Sequence, residues 1–82
     1  MKKARVKSDI KRYKEPSESP VKILMKFQDY ALASVRNAPP THKIILLFTN
    51  DGNGTPWAAQ LLIQDWCDRQ PWINRIKGVY LE

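Results

Sequence analysis

The chain has 82 residues, 43% of them hydrophobic and 27% charged, enough for one small domain that buries only about 60% of the surface its unfolded form exposes. Its formal charge is +6, and that whole excess sits in the first 14 residues, where Lys2, Lys3, Arg5, Lys7, Lys11, Arg12 and Lys14 face a single acid, Asp9, while the remainder holds seven basic and seven acidic residues. A single cysteine, Cys67, excludes an internal disulfide, a single histidine, His42, leaves no zinc set with it, and no run of about 18 apolar residues is present to span a membrane.

The first 14 residues read as a flexible basic arm. Lys and Arg spaced through a short segment attract phosphates by counterion release and need no order of their own to do so. Tyr13 adds a ring that can stack on a base, and Arg5 and Arg12 can fork onto phosphate oxygens. No apolar segment follows the basic start and no small-residue cleavage pattern appears, so the arm reads as part of the mature protein. So small a protein without disulfides points to a reducing, cytoplasmic compartment. KEPSESP, Lys14 to Pro20, concentrates Pro, Ser and Glu and reads as a linker. The expected division is residues 1–19, arm and linker, and residues 20–82, a small α/β (or α+β) domain in the order helix, strand, helix, strand.

The first helix is expected from Pro20 to about Asn37, with Ser19 as N-cap and Pro20 at the first helical position. Leu24, Phe27, Ala31 and Val35 recur at helical spacing, and Met25, Tyr30 and Leu32 widen the stripe. Two successive prolines in NAPPT end it. KIILLFT, Lys43 to Thr49, carries five apolar residues without alternation, the pattern of a strand covered on both faces. A second helix is expected over Pro56 to Arg69, capped by Thr55, with Ala58, Leu61, Leu62 and Trp66 on one side, Ala59 and Ile63 adjoining, and Gln60, Gln64 and Asp68 free to face water. RIKGVYL, Arg75 to Leu81, then returns as a strand, closing a right-handed βαβ-like unit. A short third helix over residues 71–77 is the rival reading. Two strands make a thin sheet, so a third is expected either from ARVKSDI in the arm or from a second copy of the protein pairing edge to edge.

LFTNDGNGTPWAAQ, residues 47–60, joins strand to helix through a Gly-rich corner. Backbone N–H groups at a helix N-terminus favour an anion, but a phosphate loop needs Lys and Ser or Thr after its last Gly, where this chain has Thr55-Pro56-Trp57. Asp51, Asn53 and Thr55 alternatively present three oxygens to a hard cation. The stretch from Ile44 to Leu62 resembles the second acidic motif of Toprim domains, a strand-to-helix corner that binds magnesium, with Asn53 standing in place of the second acid. That resemblance implies metal-dependent phosphotransfer. The plainer reading is that Gly52 and Gly54 supply the positive φ of a tight corner. An Asn-x-Thr sequon, Asn53-Gly54-Thr55, is followed by Pro56 and reads as accidental.

No catalytic group is assigned. Cys67 lies beside Asp65 and Asp68, whose charge raises a thiol pKa rather than activating it, and reads as a small packing residue, while His42 reads as a solvated or capping residue after the prolines. Binding is therefore the expected role, with no cofactor, no metal and no membrane. The charge asymmetry points first to a non-enzymatic protein that associates with nucleic acid or a nucleoprotein particle through Lys2, Lys3, Arg5, Lys7, Lys11, Arg12, Tyr13 and Lys14. The alternative is a protein-binding inhibitor or adaptor of the kind phages and plasmids encode, acting through Trp57, Trp72 and Tyr80. The second alternative is a metal- or phosphate-binding Toprim-like fragment using Asp51, Gly52, Asn53, Gly54 and Thr55.

Overall fold

The computed structural model describes residues 6–8, 18–52 and 54–82. Lys2, Lys3, Arg5, Lys11, Arg12, Tyr13, Lys14 and Asn53 lie outside the described residues, and Lys7 is described by its backbone alone. In chain order the elements are β1 (Val6–Ser8), α1 (Pro20–Asn37), β2 (Ile44–Phe48), α2 (Trp57–Asp68), a 3-10 turn (Ile73–Arg75) and β3 (Ile76–Leu81). The strands form one parallel sheet in the order β1-β3-β2. A three-residue strand from within ARVKSDI is thus the third strand, and the rival helix over residues 71–77 reduces to the 3-10 turn that feeds β3.

Both ends of α1 follow from local chemistry. Ser19 is extended, its Oγ accepts from the Lys22 N–H at 3.2 Å, and Pro20 starts the helix where no donor is needed. At the other end Ala38 turns extended, at ψ 141, because Pro39 crowds the residue before it out of the α region. The helix buries Ile23, Phe27 and Ala31, with Leu24, Tyr30 and Val35 partly covered. Phe27 is the hub, its ring lying 5.5 Å from Phe48, 6.0 Å from Trp66 and 6.2 Å from Tyr30 in edge-to-face contacts.

Helix α2 departs from its expected orientation and cap. Its buried side is Ala59, Gln60, Ile63 and Cys67, while Ala58 and Leu61 face outward. Gln60 tolerates burial because its amide donates to the Thr55 carbonyl at 2.7 Å. Thr55 does not cap the helix: its hydroxyl donates to the Glu82 carbonyl at 3.1 Å, tying the corner to the end of β3, and Pro56 occupies the N-cap position with no side-chain bond.

The sheet differs from expectation in the same direction. In β2 only Ile44, Leu46 and Phe48 are buried, and in β3 Ile76, Val79 and Leu81 join them in one cluster with both helices. Ile45 and Leu47 remain 56% and 51% exposed. The strand is therefore covered on one face, although its sequence is apolar on both. Topology supplies the reason. The step from β1 to β2 crosses β3 in one direction and the step from β2 to β3 returns in the other, yet α1 and α2 pack on the same side. Two right-handed crossovers would have placed them on opposite faces, so here the crossovers have opposite hands, and among the described residues no helix covers the other face of the sheet. A register shift between Ile44 and Ile45, which pair with Ile76 and Gly78, puts Lys77 in a bulge and keeps Ile76 on the covered side.

Candidate functional site

The corner after β2 is built by its own residues. Asp51, Gly52 and Gly54 take φ values of 50, 77 and 79, and the buried Asn50 side chain donates from Nδ2 to the Gly54 carbonyl at 3.0 Å, bracing the loop from inside. The positive φ expected of both glycines is present, and Asp51 shares it. Lys26 of α1 reaches across to this loop, its Nζ lying 2.8 Å from Asp51 Oδ2 and 2.9 Å from the Glu18 carboxylate. The hydrogen bonds to Asp51 first and Glu18 second raise the Lys26 pKa above its ordinary value. The corner's carboxylate thus already holds an ammonium, and its threonine hydroxyl is spent on Glu82. Among the described residues no group of three or more His, Cys, Asp or Glu is placed to share a metal ion.

Cys67 and His42 do not form a pair. The thiol is in the core cluster, and burial, with the Asp68 carboxylate second, pushes it up to about 12. His42 is exposed, its Nδ1 3.4 Å from the Thr41 hydroxyl.

The three aromatic residues singled out from the sequence go to three different places. Trp72 packs its ring 5.5 Å from that of Trp66 and is partly buried against the core. Trp57, at the start of α2, is 62% exposed, and with Gln60, Leu61 and Gln64 it lines a hollow of about 90 Å³. Pockets for small molecules occupy roughly 300–1,000 Å³, so this hollow suits a single inserted side chain at most. Tyr80 belongs to the uncovered face of the sheet, on the opposite side from the helices.

That face is the feature sequence reasoning missed. Its floor is Ile45 and Leu47 from β2 with Gly78 and Tyr80 from β3, and the pairings Ile45 with Gly78 and Leu47 with Tyr80 set them in two rows across the strands. In the next strand Lys7 pairs with Tyr80, so the middle of the basic arm runs beside the same row. The signal available in the sequence was a strand apolar on both faces beside only two amphipathic helices, which leaves one layer unaccounted for.

Among the described residues, fold and site together define a small α/β protein with both helices on one side of a parallel sheet and Ile45 and Leu47 exposed on the other. Comparison with protein-family models, with curated proteins and with solved structures finds no match for this chain. No helix among the described residues is long and apolar enough to cross a membrane.

Proposed function

We propose that the protein is a small, non-enzymatic nucleic-acid-binding protein of the cytoplasm that associates with nucleic acid or a nucleoprotein particle through its basic N-terminal arm. One observation carries this reading: the first 14 residues hold seven of the 14 Lys and Arg and the whole net charge of +6, while the rest of the chain is electrically balanced. A phosphate polyanion is the partner that such a distribution attracts. The parallel pairing of Val6–Ser8 with β3 supports it further, since an arm fastened to the body by a strand delivers bound phosphate to a defined side of the domain.

The test is a salt series of binding to duplex DNA and to single-stranded RNA, with the natural chain and with a variant in which Lys2, Lys3, Arg5, Lys7, Lys11, Arg12 and Lys14 are all replaced by Ala. The natural chain binds with a logarithmic salt slope of about −0.9 per phosphate neutralised on duplex, and the variant loses binding while its far-UV spectrum is unchanged. Binding that survives in the variant refutes the proposal. A second reading, capture of a protein partner, draws on Trp57 and the exposed Leu61 beside it; it is favoured if Trp57→Ala abolishes co-purification of a defined partner that the arm variant still retains.

A further inference from the structure

We infer that the amino end of the sheet is a second phosphate-binding surface, on which Arg36, His42, Lys43 and Arg75 take the backbone of the same nucleic acid that the arm attracts. The inference rests on the nucleic-acid reading of the arm and deepens it by placing a contact on the folded body.

The first support is where the body keeps its charge. Its formal charges cancel, but residues 30–50 and 69–81 contain no Asp or Glu. The fold brings these two segments together where β2 and β3 begin side by side, Ile44 beside Ile76. Two hydrogen bonds fasten them there: Arg75 Nη2 donates to the Pro39 carbonyl at 2.8 Å, and Lys43 Nζ donates to the Asn74 carbonyl at 3.1 Å. Arg36 lies in the last turn of α1, three residues before Pro39, and His42 directly precedes Lys43. Arg36, His42 and Lys43 are exposed, and Arg75 is half-buried. This end of the domain lies on the β2 side of the sheet, the edge opposite β1, so its cations are the body's own.

The way these cations are held is the second support. A carbonyl accepts from each of Lys43 and Arg75 without cancelling its charge, and among the described residues no carboxylate pairs with any of the four. The carboxyl end of the sheet is built the other way, with Lys26 held between Asp51 and Glu18. The macrodipole of α1 accounts for Arg36 at its C-terminus. It does not account for Lys43 and Arg75, whose repulsion a carboxylate would have relieved. An ammonium has three donors, and the Asn74 carbonyl takes one from Lys43. The others are left for phosphate oxygens on a side chain already ordered, which lowers the cost of binding. The surface adds to the arm without replacing it, because so few cations hold a polyanion only weakly at physiological salt.

The experiment measures affinity of the full chain for a short labelled DNA duplex by fluorescence anisotropy over a salt series. Lys43→Gln is expected to reduce the logarithmic salt slope by about 0.9, and the double variant Arg36→Gln, Lys43→Gln by about 1.8, with affinity at about 0.1 M salt falling at least tenfold in the double variant. Lys43→Arg keeps charge and donor and is expected to bind as the natural chain does. Lys22→Gln removes one exposed charge at the other end of α1 and is expected to leave the slope unchanged. Circular dichroism confirms that each variant is folded, and Arg36→Gln alone, at an exposed position, covers the case in which Lys43→Gln is not. Slope and affinity unchanged in the double variant overturn the surface. An equal loss in Lys22→Gln also overturns it, since net charge would then be the whole effect. Arm and surface fail separately: if the sevenfold arm variant loses binding while the double variant matches the natural chain, the arm acts alone and the surface falls. If the double variant loses slope while the arm variant still binds, the arm reading falls and the surface stands. A natural chain that binds no duplex at about 50 mM salt overturns both.

Discussion

In the folded chain a thiol at the Cys67 position has lost its water before it meets any charge, and the Asp68 carboxylate adds a smaller push in the same direction. Its proton therefore stays on up to about 12, whereas the unfolded thiol releases it near 9.0. Between those values the unfolded state binds fewer protons than the folded one, so stability falls as pH rises, by up to about 1.4 kcal/mol per pH unit from this group. Below pH 9 the contribution is fully present. Urea midpoints at pH 8 and pH 10, compared between the natural chain and Cys67→Ala, isolate the effect: the natural chain is expected to lose more stability over that interval than the variant. Parallel pH dependences would show that the thiol is not held in the core. At the same scale the sequence reading of Cys67 as a packing residue agrees with its place in the core, while of the two acids beside it only Asp68 adds to the shift and Asp65 is paired with Arg69.

Element by element, legibility tracked how local the determining contacts are. The bounds of α1 were readable because Ser19, Pro20 and the Pro39-Pro40 pair act within a turn of themselves. The orientation of α2 was not, because Gln60 is turned inward by a carbonyl of the preceding corner and Thr55 is drawn away from capping by Glu82, 27 residues later. β2 was placed correctly, yet its covering was misread, since an apolar strand records what it can bury and not how many layers the topology supplies. Its outer edge carries a contact of a different kind: the Leu47 N–H donates to the Tyr30 hydroxyl at 2.8 Å, so α1 satisfies an edge donor that would otherwise invite another strand. Tyr30→Phe removes that acceptor and keeps the ring against Phe27 and Phe48. A loss of about 1 kcal/mol in unfolding free energy is expected, with faster hydrogen exchange at the Leu47 amide than at its inward-pointing neighbours. An unchanged exchange rate at Leu47 would mean the hydroxyl does not guard the edge.

For the whole molecule, the arm has two physical roles that the sequence alone could not separate, because charge is visible in composition and strand pairing is not. As a cation cluster it answers to salt; as β1 it closes the edge of β3, the central strand, through the pairs Val6 with Val79, Lys7 with Tyr80 and Ser8 with Leu81. Neutralising the charge and removing the strand should therefore have different consequences. The sevenfold alanine variant keeps the backbone of β1, and its melting temperature is expected to stay within a few degrees of the natural chain's even as nucleic-acid binding is lost. A chain starting at Glu15 is expected to lose binding as well, but it also bares a β3 edge with unpaired N–H and C=O groups and leaves a two-stranded sheet, which is marginal on its own in water. It is expected to melt lower and to associate as its concentration rises, by size-exclusion chromatography, through the exposed edge. If the shortened chain remains monomeric and as stable as the alanine variant, β1 contributes no stability to the sheet, and the arm acts through its charge alone.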